Sequence, residues 1–408
     1  MIGKPSLCTC LLLGAAMAAT GCSTLGNLNK CRSTDPDTRI AGCTAVIQAS
    51  EGWKVNLYQI YNNRGNAYYS KRDYDHAIQD FNEAVRLSPN DANTYYTRGN
   101  AHGGRGIAYD NKYDYEHAIQ DYNEAIQDYT DAIRLNQSYA FAYYGRGIAY
   151  DSRGIEHDNS DDYNRAIQDY NEAILLSPNN AGAYKYRGVA YNHKSDYDRA
   201  IQDFSEAIRL NPKDSVAYLG RGIAHIYKGD YDRAIQDFNE LILLNPKDSV
   251  AYGARGDTYL LQSNLAAAIS DFENAISAAP SSRMAVSTAL MLHVAMKRQG
   301  RDDARQLAQV AATADLSKWP GPVLKLDMGK MTAGEVMAAA VNPADDRQKW
   351  HVCQANYFIG EDALFHNQQA MALAHLKAAR DGCPHWDAHY AAALVELKRL
   401  GAPAVPAK

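Results

Sequence analysis

A block of about 34 residues recurs from Tyr58 to Ser282, and nothing else in the chain limits its fold as strongly. A unit that short cannot bury a hydrophobic face alone, so neighbouring copies must stack. In its regular form it reads RG-x-A-Y, followed by DYD-x-AIQDF-x-EAI-x-L-x-P. Numbering each unit so that the glycine is position 8 gives Gly65, Gly99, Gly147, Gly188, Gly222 and Gly256. Position 20 is then Ala77, Ala118, Ala166, Ala200, Ala234 and Ala268, and position 24 is Phe81, Tyr122, Tyr170, Phe204, Phe238 and Phe272. Proline closes most units, at Pro89, Pro178, Pro212, Pro246 and Pro280. The apolar spacing is helical, and the small residues let two antiparallel helices approach closely while the aromatics fill the space between hairpins. That accounts for the composition, in which 29 Tyr stand against 7 Phe and 4 Trp.

This pattern resembles the tetratricopeptide repeat (TPR). The resemblance implies an all-α superhelical solenoid of helix-turn-helix units, ended by a C-terminal capping helix. The expected organisation is a signal segment over 1–21, a tether and disulfide-closed cap over 22–57, and six repeats over 58–282. A degenerate helical region and linker then covers 283–346, and a repeat-like hairpin with a capping helix covers 347–408. It also implies a concave face built from helix A positions 2, 5, 9, 12 and 13. In the first unit those positions are mostly polar: Gln59, Asn62, Asn66, Tyr69 and Ser70. In the fifth and sixth they supply Val216, Leu219, Ile223, Ile226, Tyr227, Val250, Leu260 and Leu261, an apolar wall expected to bind a partner unless residues 283–346 fold back to fill it.

Two units depart from the period. The unit from Ala92 to Tyr139 has 48 residues because RGNAHGG is followed by a second RGIAY, and IQDYNEA by IQDYTDA. Seven residues turn an α-helix by about 700°, within roughly 20° of two full turns. Both helices should therefore lengthen with their buried faces in phase. The next unit carries one extra seven near Ile155 to Asp161, expected to lengthen its inter-helix loop. There Asp158, Ser160 and Asp162 alternate as in a calcium loop. The required Gly at the sixth place is missing and Asp169 occupies the twelfth, so the stretch reads as a solvated acidic loop. Arg at position 7 (Arg64, Arg98, Arg146, Arg187, Arg221, Arg255) and Asp at position 23 (Asp80, Asp121, Asp169, Asp203, Asp237, Asp271) form matched series, read as structural glue or a solvated face.

The N-terminus reads as a targeting segment. Lys4 precedes an apolar stretch from Leu7 to Ala19, too short to span a bilayer. It runs into Ala19-Thr20-Gly21-Cys22, which resembles a bacterial lipobox, and so implies that Cys22 is acylated. Ordinary cleavage after Ala18, leaving a soluble periplasmic or secreted protein, is the alternative. With Cys8 and Cys10 removed and Cys22 lipidated, four of the seven cysteines remain. An even remainder suits an exported, disulfide-forming chain. Counting the C-terminal hairpin as a repeat places Cys353 and Cys383 at its two meeting ends, and Cys31 and Cys43 flank a short loop, so pairing within each terminal region is expected.

The order Trp319-Pro320, Gly329, Asn356-Tyr357-Phe358-Ile359-Gly360 and then Ala391 to Gly401 resembles the C-terminal half of NlpI-type outer-membrane lipoproteins. That resemblance implies a non-enzymatic adaptor facing the periplasm, presenting proteases or cell-wall hydrolases to their substrates. A pilotin-like assembly factor for a secretion or pilus channel is the alternative. Partners are expected to be periplasmic proteins or peptides, with a homodimer left open, and the membrane is engaged through the N-terminal lipid. A net charge of −5 argues against nucleic acid. No nucleophile elbow, H-E-x-x-H or P-loop occurs, and no cofactor or metal is expected. The residual enzymatic signal is His385 with His389, one helical turn apart and able to share a metal, though no third ligand is specified.

Overall fold

The computed structural model describes residues 25–49, 56–157, 159–280, 283–301, 303–341, 348–383 and 387–402. All regular structure among them is helical, and no strand occurs. None of these helices is long and apolar enough to cross a membrane. The chain divides into two compact units, one ending at Ala190 and the other starting at Tyr191.

In the first unit, α1 (helical over 25–31) and α2 (Pro36–Gln48) form the N-terminal cap. A disulfide joins Cys31 to Cys43 with the Cα atoms 4.5 Å apart, and both cysteines are buried with Val46 and Ile60. Then come the helices α3 (Leu57–Ser70), α4 (Tyr74–Leu87), α5 (Ala92–Asp110), α6 (Tyr115–Leu135), α7 (Ala140–His157), α8 (Ser160–Leu176) and α9 (Ala181–His193). The glycine rule has a direct steric cause. A Cβ on Gly65 would lie 2.7 Å from the Phe81 ring, and one on Gly147 2.6 Å from the Tyr170 ring. Arg64, Arg98, Arg146, Arg221 and Arg255 at position 7 hold helix A to helix B. Arg64 grips both oxygens of Asp80 at 2.7 and 2.8 Å, and its remaining amino group reaches Thr44 of the preceding hairpin. The Asp80 side chain is only 6% exposed, so the series is structural rather than solvated.

The lengthened second hairpin repeats this device twice. Its helices have 19 and 21 residues, against 14 and 14 in α3 and α4. The pairing differs from the expected register. Arg98 binds Asp128, while Arg105 of the duplicated stretch takes Asp121. The glycines follow suit, Gly99 lying under Tyr129 and Gly106 under Tyr122. Antiparallel helices that both gain a heptad must nest, so the outer arginine meets the outer aspartate.

The third hairpin corrects two sequence expectations. Its extra seven residues lengthen the helices, to 18 and 17 residues, rather than the loop. Arg153 and Gly154 fall one heptad beyond Arg146 and Gly147, so they repeat the same contacts. Arg153 grips Asp162 at 2.6 and 2.8 Å, and Gly154 packs on Tyr163. Asp162 is therefore buried and paired, not a member of a solvated acidic loop or a calcium set. Asp158 lies outside the described residues.

The second unit contains α10 (Tyr197–Leu210), α11 (Ser215–Tyr227), α12 (Tyr231–Leu244), α13 (Ser249–Leu261) and α14 (Leu265–Ala278). Between these helices, the residue before the helix B cap is left-handed: Ser195, Gly229 (φ 75°) and Ser263. The irregular stretch then folds into α15 (Arg283–Arg298), α16 (Ala304–Thr313), α17 (Gly321–Asp327) and α18 (Ala333–Ala340). These helices are core, with Leu290, Val294, Val323, Leu324 and Val336 fully buried. Finally α19 (Gln348–Phe365) and α20 (Gln369–Gly382) form a hairpin locked by Cys353–Cys383, Cα atoms 4.9 Å apart, and α21 (Ala388–Arg399) follows. A Cβ on Gly360 would lie 2.8 Å from Leu376, as one on a repeat glycine would meet its aromatic. Arg298 ties these elements together, binding Glu361 of α19 and Glu396 of α21 at 2.7 Å each.

Candidate functional site

A cavity of about 320 Å³ opens on the fifth and sixth repeats. One wall is α11, which presents Leu219, Ile223, Ile226 and Tyr227 on successive turns. The next is α13, with Val250, Gly253, Asp257, Leu260 and Leu261. Met284, Ser287, Thr288 and Met291 of α15 form a third wall, and Ala388, His389, Ala391 and Ala392 of α21 a fourth. Most of the apolar row read from the sequence is thus gathered at one place. Val216 is not: it points away and is 47% exposed. Leu260 faces the cavity but is also 3% exposed core, packed in the main cluster of the unit.

Among the described residues of 283–346, only the first half of α15 borders the wall, and the opposite side comes from α21, about a hundred residues further along. The reason is local to α15: its buried face packs on α14, leaving only the Met284–Met291 edge toward the cavity.

The polar groups of the cavity are few. Asp257 carries one carboxylate oxygen, Oδ1, that is out of solvent and has no hydrogen-bond partner. Burial, with the nearby Asp387, pushes its pKa up to about 7 against the opposing pull of His389. His389 Nδ1 lies 2.7 Å from Asp387, which also takes the indole N–H of Trp350. Burial disfavours the charged ring of His389, but Asp387 outweighs it and holds the pKa above the ordinary value. Asp387 itself falls below the usual carboxylate range, because His389 and the Trp350 hydrogen bond overcome its burial. Burial moves the Tyr227 hydroxyl well up.

This arrangement can hold an apolar group and offer it one acceptor. Among the described residues, the one set of Cys, His and acidic side chains close enough to share a metal is Cys353, Cys383 and Asp387. Both sulfurs are already spent in the disulfide, so no thiolate is left to ligate. His389 is engaged by Asp387, while His385 and Cys22 lie outside the described residues.

The sequence reading passes over Gly253 and Asp257 and sets His389 with His385 as a possible metal pair, not in the groove. The first two were legible: they occupy positions 5 and 9 of their unit, where the preceding repeat has Leu219 and Ile223. His389 was not, because only the return of α21 brings it to the groove.

Comparison with known proteins agrees with this architecture. Models described as TPR repeat or tetratricopeptide repeat match residues 60–106, 114–154, 143–180, 181–214 and 219–283. No curated protein matches the sequence. Among solved structures, the chain is similar to a tetratricopeptide repeat protein from Parabacteroides merdae at 18% identity and a TM-score of 0.48, over 68% of this chain and 99% of that one. It is similar to YrrB, described as a TPR protein with an unusual peptide-binding site, at 22% identity and a TM-score of 0.39, over 51% and 97%. It is also similar to MamA, at 26% identity and a TM-score of 0.37, over 47% and 92%.

Proposed function

Because the chain belongs to the tetratricopeptide repeat proteins, which serve as interaction scaffolds for peptides and other proteins, we propose that it is a non-catalytic adaptor that captures a partner in the cavity of the fifth and sixth repeats. One observation carries this reading: a cavity of about 320 Å³ walled by Leu, Ile, Val and Met side chains, open on a repeat surface. Apolar surface of that kind is stabilised by being covered, at roughly 25 cal/mol per Å² removed from water.

The adaptor works at the bacterial cell envelope, held to the outer membrane by acylated Cys22 and presenting periplasmic proteases or wall hydrolases to their substrates. The lipobox, the short apolar leader and the even number of remaining cysteines support this placement. Two measurements test the reading. Cys22→Ser should move the protein from the membrane to the soluble periplasmic fraction, and equal membrane recovery overturns the anchor. A photocrosslinking residue at Val250 should give a discrete adduct in cells. Leu219→Asp should abolish that adduct while the melting temperature stays within a few degrees. An adduct that survives Leu219→Asp overturns the groove as the capture surface.

A further inference from the structure

Two positions on α13 differ from their counterparts on α11. Gly253 stands where α11 has Leu219, and Asp257 stands where it has Ile223. They lie four residues apart, so they share one face of α13. The first substitution removes a side chain from the wall: a Cβ built on Gly253 meets nothing within 4 Å. The second puts a carboxylate into that wall, with Oδ1 left unpartnered. Neither change serves packing. A glycine inside a helix costs about 0.5–1 kcal/mol relative to alanine, and an unsatisfied buried polar atom costs more. Across the gap, His389 Nδ1 is committed to Asp387, and Asp257 Oδ1 has no hydrogen-bond partner.

From this juxtaposition we infer that the cavity binds an aliphatic ammonium group, its alkyl stem lying in the space opened at Gly253 against Leu219, Ile223 and Met291 and its N–H donors meeting Asp257. The volume suits a short unbranched chain, being at the small end of ligand cavities. Charge selects the head group: an incoming cation pairs the free Asp257 oxygen, whereas an incoming carboxylate is repelled by it. On a protein partner the group of this shape is a lysine side chain, with an apolar stem and three donors on its tip. The lysine assignment rests on the protein-binding reading above, and the ammonium site does not.

The test uses the full chain with labelled Ile and Met methyl groups, titrated with hexylammonium, 1-hexanol and hexanoate. Saturable shifts at Ile223, Ile226 and Met291 are expected with hexylammonium. It should bind at least about tenfold more tightly than hexanol, the ratio that one charge-assisted hydrogen bond provides. Hexanoate should be weakest. Asp257→Asn, which is isosteric, should bring the amine to the level of the alcohol. Gly253→Leu should abolish binding of all three without lowering the melting temperature. Equal affinity for amine and alcohol, or amine binding that survives Gly253→Leu, overturns the site. A blocked pentapeptide Gly-Leu-Lys-Leu-Gly should then outbind its norleucine counterpart. If it does not while hexylammonium still binds selectively, the lysine source is overturned and the ammonium site stands. The cellular crosslink at Val250 reports on the adaptor reading independently of either result.

Discussion

The repeats and the C-terminal region both bury arginine against carboxylates, but they do it at different ranges. In a repeat such as α11 with α12, Arg221 grips Asp237, sixteen residues away, and the guanidinium stays 22% exposed. In the C-terminal region Arg298 reaches Glu361, sixty-three residues away, and also Glu396, with both carboxylates 1% exposed. The first is a local staple copied from hairpin to hairpin. The second is a long-range knot in which Arg298 serves two acids, one of which, Glu396, also holds Arg399. Local staples tolerate duplication, and the lengthened α5–α6 hairpin simply carries two. A long-range knot cannot be copied, so it concentrates stability on a few residues.

The largest effect expected from this contrast is at Arg298. Arg298→Met leaves Glu361 and Glu396 buried side by side and should destabilise the protein by about 3–5 kcal/mol in urea unfolding at pH 7.5. Arg221→Met removes one partner that is 22% exposed and should cost about 1–3 kcal/mol. Equal losses would mean that range and burial are not what separates the two regions. Burial pushes the Glu361 pKa up to about 7, so part of the Arg298→Met loss should be recovered at pH 5 as that carboxylate protonates.

A middle effect sharpens the comparison at Asp257, a repeat-helix carboxylate whose Oδ1 has no partner. Its folded pKa of about 7 lies above the unfolded value of about 4. The folded state thus binds the proton more tightly, and stability falls as pH rises from about 4 to about 7, with the full penalty persisting above. Asp257→Asn should therefore gain about 1–3 kcal/mol at pH 8, with the gain vanishing toward pH 4. As a whole residue Asp257 is only half-buried, which favours the lower end of that range. A pH-independent difference between the two proteins would show that the carboxylate is already paired.

The effects expected at glycine differ in sign, and the smallest of all is at Gly253. A Cβ at Gly222 would meet the Phe238 ring at 2.5 Å and one at Gly360 would meet Leu376 at 2.8 Å, so Gly222→Ala and Gly360→Ala should each cost about 1–3 kcal/mol. Gly253→Ala meets open space and should stabilise by about 0.5–1 kcal/mol. Thermal melts of the three variants suffice, and a destabilised Gly253→Ala would mean that the cavity is not open at that helix.

Much of this was legible because repeat chemistry is local. The hairpins, the small residues under aromatic rings and the arginine–aspartate series all follow from spacing within one unit. The register of the second hairpin was not, because two simultaneous heptad insertions leave the choice of partner to nesting. The third insertion reads as a loop from its acidic residues, whereas Arg153 and Gly154 restart the helix pattern and place it within the helices.

The sequence by itself determined the helical period, the number of repeat hairpins and the apolar row on α11 and α13, since each depends on residues within about 34 positions of one another. The tertiary structure alone decided that α15 and α21 wall the row into a cavity, that His389 stands across from Asp257, and that Arg298 joins Glu361 to Glu396. Those outcomes depend on how a non-repeating chain returns on itself. A periodic pattern fixes what each unit does to the next, and it carries no record of where an aperiodic helix comes to rest.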